Sequence, residues 1–418
     1  MLKNVFYSAI VIIISGSMIF SANAQQVFEG PQASTPAYIG QTRAPIANKS
    51  PPFKVSEFVS GLNRPWSMVF LPSGKMIVTE VPGRLRIISA DGTVSDAIKG
   101  MPAVRAFGSR GLNDIILDPE FEKNRVIYFS YHAAPEGMQS DNSDDAYKKS
   151  NADMALWNKL SREEKAANPF GVWRVARAQL SKDEKSIDRF KVLIDTVPSS
   201  MTFDKEGKLL ITTQRKSPMG KQDLTDNLGM VLRLNKNGSI PKDNPFIGQD
   251  GVNPMAYAVG LRNSYSLAFN PASGELWAAD QGPYAGDEVN IIKPGKNYGW
   301  PEVTYGKMGR TKVIGAGFSA KEGVEQPIYF WSPISMAPSS MMFYKGDLFP
   351  AWKGNLFLSG LSSQHIARLV LAGDHVVGEE RLLDEKATRY RHINQGPDGV
   401  IYVIEDGPMA KILKITPN

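Results

Sequence analysis

An all-β chain built as a six-bladed β-propeller is what this sequence predicts, on three observations. A hairpin of one type recurs six times, each copy is trailed by further strand material, and the chain is long enough to build a large core without cross-links. The copies are "WSMVFLPSGKMIVTE" from Trp66, "NDIILDPEFEKNRVIYFSY" from Asn113, "SSMTFDKEGKLLITT" from Ser199, "SYSLAFNPASGELWAAD" from Ser264, the longer "SSMMFYKGDLFPAWKGNLFLSG" from Ser339, and "INQGPDGVIYVIED" from Ile393. In each, an apolar strand runs into a turn rich in Pro, Asp or Gly and a second apolar strand runs back. "GRLRII" and "AKILKI" are two of the trailing strands. A β-sandwich has similar turns, but repetition of one hairpin favours blades.

Ahead of the first hairpin, "MLKNVFYSAIVIIISGSMIFSANA" has a lysine near its start, an apolar run and a small-residue ending, which reads as a secretory signal over 1–24 with cleavage before Gln25. The run is short for a membrane span, and no cysteine succeeds it to accept a lipid. An exported protein, periplasmic or secreted and with no membrane span after cleavage, is expected. Residues 25–52 are rich in Pro, Gln, Ser and Ala without apolar periodicity, and read as a flexible lead-in. The propeller is assigned to 53–418. Within it, residues 137–168 interrupt the strand pattern after Tyr131 and His132, and "SREEKAA" has Ser161 placed to cap a helical turn. This insertion is either a solvated excursion or a lid over one end of the propeller.

Composition removes several function classes. With no cysteine there is no disulfide, no thiolate metal site and no covalently attached c-type haem. About 390 residues remain after the leader, enough for a core that needs no staples. The formal charge of +6 falls to +5 without Lys3 and is spread along the chain, which argues against nucleic acid but not against a small anionic ligand.

Propeller geometry sorts the residues that carry chemistry. Each hairpin's first strand starts, and its second ends, at the same end of the disc. Arg262 and Asn263 therefore share one channel mouth with Gln281, Gly282, Pro283, Arg389 and Arg391. In "RYRH", residues 389–392, period two puts both arginines on one face and His392 on the other. Two like charges side by side call for an anion between them. In "QGPYAGDEVNIIKPGKNYGWP", Gly and Pro at a strand end turn backbone carbonyls outward, and carbonyl oxygens suit calcium. Asp287 and Glu288 are nearby carboxylates that could bind a second ion or orient the loop.

The full string "LRNSYSLAFNPASGELWAADQGPYAGDEVNIIKPGKNYGWPEVTYG" resembles the soluble pyrroloquinoline-quinone (PQQ) aldose dehydrogenases, the glucose/sorbosone dehydrogenase family. So do "RPWSMVFLPSGKMIVTEVPGRLRII", "GMVLRLNKNGSIPKDNPF" and "RYRHINQGPDGVIYVIED", in order over roughly residues 53–418. The resemblance implies PQQ in the mouth of a six-bladed propeller with calcium polarising its quinone. Arg389 and Arg391 match the family's Arg-x-Arg pair that binds the three PQQ carboxylates, and guanidinium forks suit carboxylates. Arg262 and Asn263 match its "RN" contacts, with Gln281 beside them. Gly282 and Pro283 match the carbonyl ligands of the calcium on PQQ. Glu288 and the Tyr298 carbonyl resemble ligands of a second, structural calcium. At His392 the family commonly has aspartate, and a structural role is expected there.

Three departures stand against that pattern. The family's base is the histidine of H-x-G-G-R, and here "TVPSSMTF" puts Thr196 at the histidine and Ser200 at the arginine. A hydroxyl has no useful basicity near neutral pH. Ser109 of "SRGLND" aligns with a PQQ-contacting glutamine, and Ser362 of "GLSSQH" with a lysine. Among the four histidines, His132 and His365 end hairpins at the mouth and are the candidates to replace the base, while His375 reads as a turn residue. The expected function is a PQQ- and calcium-dependent oxidoreductase acting on the CH–OH group of a sugar or other alcohol, passing electrons to a separate acceptor. The alternatives are a propeller that binds a carboxylate-bearing ligand or partner without turnover, and a calcium site used for hydrolysis or lactone opening.

Overall fold

The computed structural model describes residues 36–138, 143–167, 170–218, 221–309, 314 and 317–418. Residues 1–24, which read as a secretory signal, the start of the lead-in and part of the insertion lie outside the described residues. Strand β1 (Phe53–Leu62) begins no blade of its own. Blade 1 is β2 (Pro65–Phe70), β3 (Met76–Glu80) and β4 (Arg84–Ile88). Blade 2 is β5 (Leu112–Leu117), β6 (Val126–Ala133), β7 (Val172–Leu180) and β8 (Ile187–Asp195), and blade 3 is β9 (Pro198–Phe203), β10 (Leu209–Thr213), β11 (Met230–Leu234) and β12 (Ala256–Val259). Blade 4 is β13 (Ser264–Phe269), β14 (Leu276–Asp280), β15 (Asp287–Ile292) and β16 (Tyr329–Trp331). Blade 5 is β17 (Pro338–Phe343), β18 (Leu356–Gly360), β19 (Ile366–Ala372) and β20 (His375–Leu382). Blade 6 is β21 (Tyr390–Gln395), β22 (Ile401–Glu405) and β23 (Ala410–Pro417), completed by β1, which pairs antiparallel with β23 from Phe53 opposite Pro417 to Leu62 opposite Ala410. The six-bladed propeller expected from the hairpins is the fold, and the first strand of the chain closes its last blade.

The hairpins share a turn because they share a hydrogen-bond pattern. Leu71 N donates to Lys75 O at 2.7 Å, Asp204 N to Lys208 O at 3.0 Å, and Asn270 N to Glu275 O at 2.9 Å. Gly74 and Gly207 close two of these turns at φ of 82° and 71°, where a Cβ is disfavoured. Apolar burial is divided into six wedges, one between each pair of neighbouring blades. Ile77 meets Leu112 and Phe129 between blades 1 and 2, and Met68 and Val78 meet Tyr402 and Ile404 between blades 6 and 1. No single central core exists, because the centre is a channel.

The six inner strands ring a cavity of about 440 Å³. One position from each blade forms a polar belt around it: Ser67, Asp114, Ser200, Ser266, Ser340 and His392. Belt side chains reach the next blade. Asp114 Oδ2 accepts from Met201 N at 2.8 Å, Ser200 Oγ from Leu267 N at 3.3 Å, and Ser266 Oγ from Met341 N at 2.8 Å. Ser340 Oγ donates to Ile393 O at 3.3 Å. Ser67 closes the ring, donating to Asp114 Oδ1 at 2.9 Å with His392 Nε2 at 3.4 Å on its other side. Burial pushes the Asp114 carboxyl up to about 6 against the three hydrogen bonds it accepts, and brings the His392 imidazole down to about 4.

Part of the lead-in is tied down along the outer rim. Gln41 is buried and donates to Pro327 O at 2.8 Å, Ala47 N donates to Glu379 O at 2.9 Å, and Trp352 Nε1 donates to Ser50 Oγ at 2.9 Å. Residues 36–52 thus cross blades 4 and 5 before entering blade 6, contacts that polar composition did not foretell.

Blade 2 carries a one-turn helix, α1 (Phe121–Asn124), in its first hairpin. The insertion contributes α2 (Asp144–Trp157) and α3 (Arg162–Ala167). Ser161 caps α3 as expected: Ser161 Oγ accepts from Glu164 N at 3.2 Å and Glu164 Oε2 from Ser161 N at 2.7 Å. Helix α2 stands beside the mouth over blades 1 and 2. It is held by Tyr147 OH to Gly108 O at 2.7 Å, Gly108 N to Asn151 Oδ1 at 2.8 Å, and Arg105 to Asp153 at 2.9 Å. Among the described residues no helix is long and apolar enough to cross a membrane.

The belt makes an acid-stability prediction. A histidine whose folded-state pKa lies below its unfolded value contributes stability that is complete above about 6.5 and lost as pH falls through about 4. That difference amounts to as much as about 3 kcal/mol. Urea unfolding of the wild type should therefore weaken between pH 6.5 and 4 by more than that of His392→Asn. Parallel pH slopes for the two proteins would show that charging His392 carries no cost.

Candidate active site at the channel mouth

The anion between Arg389 and Arg391 belongs to their own hairpin. Asp406, just beyond β22, accepts from Arg389 Nε at 2.8 Å through Oδ2, and from Arg391 Nε and Nη2 at 2.9 and 2.7 Å through Oδ1. Burial alone would raise its carboxyl, but the two guanidinium groups outweigh burial and hold it below the usual range. Two cations share one carboxylate, so the cluster keeps a net positive charge. Arg391 is buried, with its guanidinium 4.0 Å above the Trp66 ring and Nη1 3.4 Å from Ser339 Oγ, while Arg389 is exposed. Trp66 of blade 1 meets Tyr265 of blade 4, the opposite blade, with ring centroids 6.1 Å apart. An aromatic floor therefore spans the mouth one residue above the polar belt.

A second group gathers on blade 4. Asp280, at the end of β14, accepts from the backbone N–H of Arg262 and of Asn263 at 2.9 and 2.5 Å, bringing the start of β13 against the 281–283 turn. Arg262 Nη1 donates to both Gln281 O at 2.7 Å and Gly282 O at 3.0 Å. Asn263 Nδ2 donates to Gln281 Oε1 at 3.2 Å, and Gln281 Nε2 to Pro338 O at 2.9 Å. Gly282 N donates to Asp287 Oδ1 at 2.9 Å. A Cβ on Gly282 would lie 2.0 Å from Ala285 O, so the turn closes only with glycine. Burial depresses the pKa of Arg262. Its Nε and the Oδ1 of Asn263 are buried without partners.

These features bear on whether the turn suits a cation. Two carbonyl oxygens converge on one positively charged nitrogen, which is the arrangement a hard cation prefers. Beside them Asp280 and Asp287 are buried carboxylates and Glu288 is half-buried, all with pKa raised mainly by desolvation; that of Glu288 is pushed to about 8, with Asp280 and Asp287 adding to the effect. The oxygen donors are of the kind calcium takes, and beside them the orphaned Arg262 Nε calls for an acceptor on a ligand and Asn263 Oδ1 for a donor. Among the described residues no cluster of three His, Cys, Asp or Glu could hold a metal by side chains alone. Tyr298 is placed differently from Glu288. Its hydroxyl donates to Ile291 O at 2.6 Å within the wedge between blades 3 and 4, whereas Glu288 lies opposite Asp280 and accepts from Asn290 Nδ2 at 3.1 Å. Among the described residues the Tyr298 hydroxyl and the Glu288 carboxylate share no hydrogen-bond partner.

Thr196 is buried, and its Oγ1 lies 3.2 Å from both Asn227 O and Asn227 Oδ1. Val197, not Thr196, faces the mouth cavity, which Ser109 also lines. Ser200 belongs to the belt below, and Ser362 is exposed. His132 is packed between Phe107 and Trp173, with Nδ1 2.9 Å from Arg105 O, and burial lowers its pKa to about 4. His365 is buried with Nδ1 3.0 Å from Ser363 O, its pKa also lowered by burial, and its Nε2 has no partner. Sequence reasoning missed Asp406 and the floor residues Trp66 and Tyr265. The hairpin rule that located the arginines would have found Asp406, since "IED" ends the second strand of the same hairpin.

The glucose / sorbosone dehydrogenase family model matches residues 62–414. Aldose sugar dehydrogenase YliI of Escherichia coli (strain K12) is 33% identical over 369 residues, covering 85% of this chain and 91% of that protein. The crystal structure of the soluble aldose sugar dehydrogenase from Escherichia coli in the apo-form matches with a TM-score of 0.74 at 31% identity, covering 88% of this chain and 100% of that one. Quinoprotein glucose dehydrogenase B of Acinetobacter calcoaceticus is 26% identical over 424 residues, covering 86% of each. Matched over nearly all of its propeller, this chain belongs to the glucose / sorbosone dehydrogenase family.

Proposed function

We propose that the protein is an exported oxidoreductase that binds PQQ and calcium at the channel mouth and oxidises a CH–OH group of a sugar-like substrate. The observation that carries this reading is the convergence of Arg262, Asn263, Gln281, Gly282, Arg389 and Arg391 around one mouth, with positive charge in excess and two carbonyls turned to a cation. A relative bearing the name quinoprotein supports the choice of cofactor.

Bound there, PQQ would supply the two-electron acceptor for hydride from the substrate carbon. The chain's own residues bind and orient. Arg389 and Arg391 hold carboxylates, because Asp406 neutralises only one of their two charges. Arg262 and Asn263 offer Nε and Oδ1, the buried atoms that lack partners. Gly282 and Pro283 would hold calcium through carbonyl oxygens, and Glu288 with the backbone carbonyl of Tyr298 would serve a second calcium. Thr196 stands at the family's base position with its hydroxyl turned to Asn227. His132 and His365 each spend Nδ1–H on a carbonyl, which leaves Nε2 as the nitrogen able to take a proton. Electrons leave to a separate acceptor. One observation favours the second reading, a propeller that holds a carboxylate-bearing ligand without turnover: Thr196 is spent on Asn227 and has no basicity.

Three measurements test the proposal. Arg389→Ala should weaken PQQ binding by about 10- to 100-fold, the worth of one charge-assisted hydrogen bond, with little change in melting temperature because Arg391 keeps Asp406 paired. An unchanged spectral titration with the quinone would remove Arg389 from the site. Chelating calcium should abolish PQQ binding and lower the melting temperature, since a ligand specific for the folded state stabilises it; indifference to chelation would exclude the metal. Turnover of neutral aldoses, with PQQ and calcium saturating, should fall about 10²-fold or more below that of relatives with the histidine, and Thr196→His should raise it. Robust wild-type turnover would direct attention to His132→Ala and His365→Ala.

A further inference from the structure

A cavity of about 200 Å³ opens at the mouth beside the aromatic floor, bounded by Arg110, Asn113, Trp173, Gln214, Lys216 and Tyr265. Its charge is one-sided. No carboxylate lines it, and neither Arg110 nor Lys216 has an ion pair among the described residues. Other cations of the same rim are paired: Arg105 with Asp153, Arg215 with Asp226, and Arg389 and Arg391 with Asp406. Arg110 and Lys216, without such a carboxylate partner among the described residues, both face this cavity. They rest on aromatic rings, Arg110 5.1 Å above Phe107 and Lys216 5.9 Å from Tyr265. Helix α2 pins the turn before Arg110 through both bonds to Gly108.

The neutral lining asks for a hydroxylated ligand. Asn113 donates through Nδ2 to Ser109 O at 3.2 Å, and its Oδ1 is buried without a partner, an acceptor seeking an O–H or N–H. Gln214 reaches Pro198 O only at 3.4 Å through Nε2. Trp173 and Tyr265 supply flat apolar walls of the kind that pack against a sugar ring's C–H face. The cavity adjoins the proposed cofactor residues through Tyr265, whose ring meets Trp66 under Arg391.

We propose that this cavity is a substrate subsite for a sugar acid, with hydroxyls on Asn113 and Gln214 and the carboxylate between Arg110 and Lys216. The substrate class is thus an acidic monosaccharide, a uronic or aldonic acid, in preference to a neutral aldose. The inference rests on the dehydrogenase reading for the statement that what binds here is substrate. A carboxylate could also come from the quinone cofactor, and the test separates the two sources.

D-glucuronate and D-glucose are titrated calorimetrically into the purified cofactor-free protein, wild type and with Lys216→Met or Arg110→Gln, and PQQ with calcium is titrated separately into all three. Glucuronate should bind the wild type about tenfold or more tightly than glucose, as a charge-assisted contact predicts, and should lose that preference in each variant and in high salt. PQQ affinity should be the same in all three. Equal affinity for the two sugars, or a glucuronate preference that survives both substitutions, would overturn the proposal. A fall in PQQ affinity in the variants with no change toward glucuronate would overturn it too, and would assign the cations to the cofactor. Failure of the wild type to bind PQQ would defeat the dehydrogenase reading, while the sugar titrations would still decide what the cavity recognises.

Discussion

Everything at the mouth hangs from the polar belt that joins the six inner strands. Each blade alone is a small sheet with two apolar faces, and it buries them only when both neighbours are in register. The bonds from Asp114, Ser200 and Ser266 to backbone N–H groups of the adjacent blade fix that register at the axis, where the strands lie nearest one another. In five of the six blades the residue just before the belt position looks into the mouth or lies along its rim: Trp66, Asn113, Tyr265, Ser339 and Arg391. A slip of one residue would exchange the two sets. The chemistry above is positioned by the hydrogen bonds below.

Charge at the mouth is layered. Nearest the axis, the Arg389 and Arg391 pair is half neutralised by Asp406. On blade 4, Arg262 faces carbonyls and not a carboxylate, beside two buried acids and the half-buried Glu288, all with raised pKa values. Toward blades 2 and 3, Arg110 and Lys216 rest on aromatic rings and have no carboxylate partner among the described residues. Positive charge therefore rises from the floor toward the outer cavity, and an anion approaching from solvent meets the least compensated cations first.

The hairpins and their order were legible in the sequence because a repeated turn with fixed hydrogen bonds repeats its residues. The mouth could be located for the same reason, since strand direction alone determines which loops meet. What could not be read was partnership. The arginine pair pointed to an anion, but period-two logic does not say that Asp406, 15 residues after Arg391, folds back to supply it. Trp66 and Tyr265 are 199 positions apart and meet only because blades 1 and 4 face each other across a ring of six. The lead-in was read as flexible from composition, yet over residues 36–52 its backbone finds specific acceptors and donors on blades 4 and 5. The place of β1 was likewise hidden, because a strand that pairs with the chain's other end carries no local sign of it.

That pairing orders events in time. The chain is made from its N-terminus, so β1 is complete long before its partner β23. Through all of that interval β1 has open edges, and an open strand edge invites misplaced partners. Lys54 and Glu57 project into solvent from β1 and put charge on two of its exposed positions. The seam sets a high contact order, which delays closure until β23 arrives. Loss of even the last few residues would leave the first strand of the chain without its mate, and the defect would appear more than 350 positions away from the break.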